Sequence, residues 1–202
     1  MKIKDAQKHD RLLQAAIHVL ATAGLAGFST TKVAKQAGIP QSNLYIYFKN
    51  KQDLLSAVFQ FVIHEESVAV TDALDETTAI VDQLVASIHT IYRYALSQPE
   101  YVTVVQTLLD DGQMKRSLQL KAGDQANQRV QQLLRDGVDQ RVLRPINLNL
   151  HRYFLTRPVF NFAAGVQSGV YQNGEQGLAT VTTMIMAAVL LPTVYQSWLG
   201  GN

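Results

Sequence analysis

Apolar residues recur at helical spacing along almost the whole of this 202-residue chain, and the alternating pattern of a half-buried strand is nearly absent. Leu13, Ala16, Ile17 and Leu20 follow the i, i+3, i+4, i+7 rule of one buried helical face, and Gly24 and Gly27 close that segment. Ser29 is placed to cap a helix over 30–37, its hydroxyl accepting an orphan amide proton of the first turn, and Gly38 ends that helix. Pro40 opens a short segment over 41–48, where its missing N–H does no harm. From Lys51 the series Leu54, Leu55, Val58, Phe59, Val62 starts a longer helix. Further helices are predicted over 77–97, 99–110, 114–136, 148–171 and 175–199, with a loop at Pro145 and a connection at Gln172, Asn173 and Gly174. The pattern predicts an all-α fold of about nine helices: a three-helix module over 1–52 and a larger helical domain over 53–202.

The length supports a sizeable buried core. With no cysteine, disulfides, thiolate zinc sites and a cysteine nucleophile are excluded. The five histidines form no metal-binding spacing, and His64-Glu65-Glu66 reads as a solvated helix face. A glycine-rich phosphate loop and a Gly-x-Ser-x-Gly elbow are also missing, so neither an enzyme nor a cofactor or metal is expected.

The net charge of +2 conceals an uneven distribution. Residues 1–55 hold eight basic side chains (Lys2, Lys4, Lys8, Arg11, Lys32, Lys35, Lys49, Lys51) against three acidic ones, Asp5, Asp10 and Asp53. Residues 158–202 carry one formal charge, Glu175. The N-terminus turns polar at once, and a cytoplasmic protein is expected. The stretch 178–199 is uncharged and of spanning length, but Pro192 and several threonines interrupt it. It is expected to be buried, between subunits rather than in a membrane. A membrane-associated helical hairpin is the rival reading.

Residues 30–48 have the arrangement of a helix-turn-helix: two short helices with a glycine between them, packed by Val33, Ala34, Ala37, Ile39, Leu44 and Phe48. The run Gly38-Ile39-Pro40-Gln41-Ser42-Asn43-Leu44-Tyr45-Ile46-Tyr47-Phe48-Lys49-Asn50-Lys51-Gln52-Asp53-Leu54-Leu55 resembles the recognition-helix signature of the tetracycline-repressor (TetR) family, in which Leu-Tyr-x-x-Phe precedes a lysine and a Leu pair. The resemblance covers about residues 8–60. It implies that Gln41, Ser42, Tyr45 and Ile46 face the major groove of a DNA operator, while Ser29, Thr30, Thr31, Asn43, Tyr47 and Lys51 hold the phosphate backbone. Helical spacing agrees in part: Gln41, Ser42 and Tyr45 share one face, and Leu44 and Phe48 share the opposite one.

The same resemblance implies a C-terminal domain that binds a small-molecule inducer and forms a homodimer through the last two long helices. Such a protein would be a transcriptional repressor binding a pseudo-palindrome. Candidate pocket residues, chosen as aromatic faces and polar tips at helical spacing, are His89, Tyr92, Arg93, Gln106, Tyr153, Phe154 and Phe160. A non-specific DNA-binding protein without ligand response is the remaining alternative.

Overall fold

The computed structural model describes residues 6–118 and 123–201. Lys2, Lys4 and Asp5 of the basic head, and positions 119–122 of the helix expected over 114–136, lie outside the described residues. Among the described residues there are eleven α-helices and no strand. The chain divides into two compact units that differ from the division at residue 52: one comprises residues up to 65 together with 99–122, the other 66–98 and 123–202.

The first unit contains α1 (Ala6–Gly27), α2 (Thr30–Ala37), α3 (Gln41–Tyr47), the start of α4 (Lys51–Asp72), α6 (Pro99–Asp110) and α7 (Gly112–Ser117). The buried face of α1 is the expected one, with Leu12, Ala16, Ile17 and Leu20 inaccessible to solvent. Gly24 (φ 63°, ψ 179°) breaks the helix in a conformation that favours glycine, as the sequence indicated. Helix α6 packs on α1 along a polar seam, and its Val104 and Leu108 are fully buried. In that seam His18 Nδ1 lies 2.8 Å from Glu100 Oε1, and Gln14 Nε2 donates to the Tyr101 hydroxyl at 3.0 Å.

The second unit contains the end of α4, α5 (Ile80–Ser97), α8 (Gln125–Asp139), α9 (Leu148–Gln167), α10 (Glu175–Val189) and α11 (Pro192–Gly201). Helix α5 packs against α9, and α9 against α8 and α10. Two predicted helices are each split. Over 114–136, Leu118 is extended and α8 restarts at Asp124, whose side chain caps Asn127 N at 3.1 Å. Over 175–199, Leu190 is extended and pairs with Leu143 in an isolated antiparallel bridge, and Pro192 then opens α11. Helix α5 starts three residues later than predicted because Asp75 holds a turn, accepting from Thr77 N at 3.0 Å and from Thr77 Oγ1 at 2.6 Å.

Helix α9 stops at Gln167 instead of running to 171. The chain turns at Gly169 (φ 76°) and lays Tyr171 back over α9. Tyr92, Phe162 and Tyr171 form a stack with ring centroids 5.5 and 5.6 Å apart, and the Tyr92 hydroxyl donates to Asn173 Oδ1 at 2.8 Å. This brace ties the α9–α10 connection to α5. A Cβ at Gly177 would stand 2.7 Å from the ring of Phe162, which is held between two other rings and cannot yield freely. Gly177→Ala is therefore expected to lower stability by about 1–3 kcal/mol despite the better helix propensity of alanine. Urea unfolding checks this; an unchanged midpoint would mean that the brace is loose.

Among the described residues one helix, α4, is long and apolar enough to cross a membrane, and 56% of its most apolar window is buried in the protein. The uncharged tail forms two helices of 15 and 10 residues.

Candidate functional site

The turn between α2 and α3 is built by its own residues. Ser29 caps α2, its hydroxyl oxygen accepting from Lys32 N at 3.2 Å. Gly38 sits in the left-handed region (φ 64°, ψ 33°), with Gly38 N donating to Lys35 O at 3.1 Å and Ile39 N to Ala34 O at 3.0 Å, the two bonds of a Schellman motif. Helix α3 has seven residues, too few to persist alone, and Leu44 is its anchor at 0% exposure. Phe48 follows it into the core and Asn50 begins the next helix by accepting from Asp53 N at 2.9 Å, while Asp53 Oδ2 accepts from Lys49 N at 2.8 Å.

With Leu44 and Phe48 turned inward, the opposite face of α3 is open. Gln41, Ser42 and Tyr45 are exposed on it, and Tyr45 keeps half of its surface in solvent. Gln41 Nε2 reaches Thr30 Oγ1 at 3.4 Å, and the Tyr45 hydroxyl lies 3.3 Å from the same oxygen. The structure thus brings together Thr30 from α2 with Gln41 and Tyr45 from α3. Thr31 is exposed nearby in sequence, Ser29 and Ile46 are half-buried, and Asn43 is half-buried with its backbone N–H on Pro40 O. Tyr47 lies against the rings of His9 and Phe48, at 6.1 and 6.5 Å.

The lysines of this unit divide into two kinds. Lys32 Nζ donates to Gly27 O at 2.8 Å, and Lys51 Nζ donates to Phe28 O at 2.9 Å while standing 5.6 Å above the Phe28 ring. Each of these ammonium groups retains further donors, but each also fastens the segment that precedes α2. Lys35 and Lys49 are exposed and make no such bond among the described residues. The surface therefore offers hydroxyl and amide groups flanked by fixed positive charge, the chemistry that phosphates and base edges require.

A cavity lies within the second unit, lined from α4 (Glu66, Ser67, Val70), α5 (Leu84, Ser87, Ile91), α8 (Val130, Leu133, Leu134) and α9 (Arg152, Leu155, Thr156). Its empty space, including a mouth open to solvent, is about 400 Å³, but the volume open to the centre of a water molecule is only about 30 Å³. That is room for a water or two.

None of the seven candidate pocket residues lines this cavity. Tyr92 and Phe160 are buried in packing, Arg93 is exposed and donates to Thr90 Oγ1, and His89 is half-buried. Tyr153 and Phe154 are 50% and 37% exposed and meet edge to face, and Gln106 belongs to the first unit. The solvated face expected at His64-Glu65-Glu66 holds for His64, which is exposed, but not for Glu66, which is 4% exposed. It continues the series Val58, Val62, Glu66, Val70, whose members are all buried. No group of three or more potential metal ligands occurs among the described residues.

Burial pushes the Glu66 carboxyl above the usual carboxylate range, and attraction to Arg152 offsets this in part. The folded protein therefore holds this proton more tightly than the unfolded chain, so Glu66 opposes folding increasingly as pH rises above about 4.5. Glu66→Gln should raise stability at pH 8 and lose that advantage on acidification toward pH 4.5. The difference between the two proteins isolates the effect from His151. That residue is fully buried with its pKa lowered by burial and makes the wild type less stable as pH falls below 6.5. A difference in stability that stayed constant with pH would show that Glu66 does not titrate in the folded protein.

Residues 12–58 match the family of bacterial regulatory proteins, tetR family. A fatty acid metabolism regulator protein of Bacillus subtilis is 40% identical over 53 residues, which are 26% of this chain and 27% of that protein. The chain matches less than half the length of its curated relatives. A TetR family transcription regulator from Marinobacter aquaeolei VT8 shares the fold over 92% of this chain and 97% of its own, with a TM-score of 0.76 and 22% identity. The transcriptional regulator FadR from Bacillus subtilis, solved in complex with stearoyl-CoA, does so over 89% and 96%, with a TM-score of 0.65 and 17% identity. The segment that matches the tetR family of bacterial regulatory proteins begins at Leu12 and ends at Val58, on the helices that carry the exposed polar face, and the fold of the whole chain is that of the TetR family structures it resembles.

Proposed function

We propose that this protein is a cytoplasmic transcriptional regulator that binds a pseudo-palindromic operator as a homodimer and represses until a small molecule releases it. The observation that carries the DNA-binding part is the outward cluster of Thr30, Gln41 and Tyr45 on α2 and α3, flanked by lysines. Gln41 has the amide geometry for an adenine edge, and Ile46 is suited to a thymine methyl. Ser29, Thr31, Asn43, Tyr47 and Lys51 are read as phosphate contacts. Lys49, with its ammonium in solvent, joins them.

The homodimer reading rests on apolar surface that one chain leaves exposed. On α9, Leu150, Tyr153 and Phe154 are exposed, on α10 Met184 is 68% exposed, and α11 buries no side chain. A two-fold dimer gives two recognition helices, as a pseudo-palindrome with half-sites about 34 Å apart requires. The ligand part is supported by the cavity, and the names of two relatives, a fatty acid metabolism regulator and a regulator bound to stearoyl-CoA, favour an apolar ligand. The cavity as it stands holds water and little else. A ligand must therefore favour a wider conformer, which is the differential affinity that a switch needs. Helix α4 is the element to watch, since it supplies Lys51 to the basic edge and Glu66, Ser67 and Val70 to the cavity wall.

The test is the salt dependence of binding to an operator fragment. Lys49→Ala should weaken binding to all sequences alike and reduce the slope of log K against log salt by about one per subunit. A slope unchanged by the substitution, or binding without any salt dependence, contradicts the interface.

A further inference from the structure

We infer that the cavity of the second unit, in the wider conformer that a ligand selects, takes an aliphatic monocarboxylate, its head seated between Glu66 and Arg152 and its chain against Leu84, Leu134 and Leu155. This rests on the ligand-binding reading above and names the chemistry of that ligand.

The polar groups of the cavity are unequally satisfied. Ser87 Oγ donates to Gln83 O at 2.7 Å, and Thr156 Oγ1 donates to Arg152 O at 2.9 Å. The guanidinium of Arg152 donates through Nη1 to Asn127 Oδ1 and through Nη2 to Ser67 Oγ at 3.1 Å. Two of its five N–H donors are thus used among the described residues, and these bonds fix its plane. Glu66 is buried at 4% exposure, lines the cavity, and makes no hydrogen bond to any described residue. A carboxyl buried without a hydrogen bond is costly, and Glu66 has open space beside it in the cavity for a group that supplies one.

The charge of the pair selects the partner. The guanidinium of Arg152 is held in place with N–H donors to spare, and Glu66 in its protonated form adds one O–H donor, so that an incoming carboxylate accepts from both. An ammonium would have to meet the guanidinium inside the same apolar walls, and a neutral alcohol would leave the charge without its counterion. Apart from Ser67, Ser87 and Thr156, whose hydroxyls are already hydrogen-bonded, the remaining lining is hydrocarbon, so the body of the ligand is aliphatic.

Thermal unfolding and titration calorimetry of the full chain with decanoate, decylamine, decanol and decanoyl-CoA test this. Decanoate should raise the melting temperature and bind roughly tenfold or more tightly than decylamine or decanol. Arg152→Gln should cost roughly tenfold or more in decanoate affinity, and Glu66→Leu should weaken it, whereas Glu66→Gln, which retains a donor, should stay within about threefold of the wild type. Equal or tighter binding of decylamine or decanol overturns the carboxylate assignment. So does a response to decanoyl-CoA without one to decanoate, and in both cases the ligand-binding reading stands. No response to any of the four overturns both. The wild-type preference decides the matter even where a variant fails to fold.

Discussion

Replacing Leu44 by Ala should destabilise the first unit by about 2–5 kcal/mol and abolish operator binding at ordinary concentrations. Leu44 is fully buried and is the anchor of a helix only seven residues long. Truncation leaves a cavity where α3 meets the core, and the helix has no intrinsic stability to fall back on. The outward residues Gln41 and Tyr45 lose their fixed positions with it. Urea unfolding followed by circular dichroism gives the stability, and fluorescence anisotropy on a labelled operator gives the affinity. A variant that unfolds at the wild-type midpoint and still binds would mean that α3 is held by something other than this side chain.

The double variant Gln41→Ala with Tyr45→Ala should leave the fold intact, because both side chains point outward from α3. Specific binding should nonetheless collapse. A good base contact discriminates by about 1–3 kcal/mol, and a dimer makes each contact twice, so the loss of even one such contact per subunit lowers the operator affinity by roughly thirtyfold, and the loss of both by roughly a thousandfold or more. Binding to unrelated DNA, which is driven by the lysines, should change little, and the salt slope should be kept. Loss of specific and non-specific binding in equal measure would show that this face positions the protein rather than reads sequence.

The first four helices were legible because their boundaries are set by neighbours in sequence. Ser29 caps, Gly38 turns, and Asn50 with Asp53 restarts the chain, all within a few residues. Likewise, the inward pair Leu44 and Phe48 followed from helical spacing alone. The place of α6 was not legible, since it depends on contacts such as that between His18 and Glu100, which are 82 positions apart. The cavity was missed for a different reason. Choosing aromatic residues selects side chains large enough to fill space, such as Phe160 at 2% exposure, whereas a cavity lies where shorter side chains leave a gap. Its lining is accordingly Val, Leu, Ile, Ser and Thr, with one Glu and one Arg. The useful signal was the spacing of four from Val58 through Val62 to Glu66 and Val70, which placed a carboxyl on a buried stripe. The charge of Glu66 masked it.

The most direct measurement is selection of bound fragments from random-sequence DNA at physiological salt, repeated after saturation with decanoate. The expected result is enrichment of an inverted repeat with half-sites about one helical turn, or a multiple of it, apart, and loss of that enrichment when the cavity is filled. Fragments that share no motif at that salt concentration would contradict it.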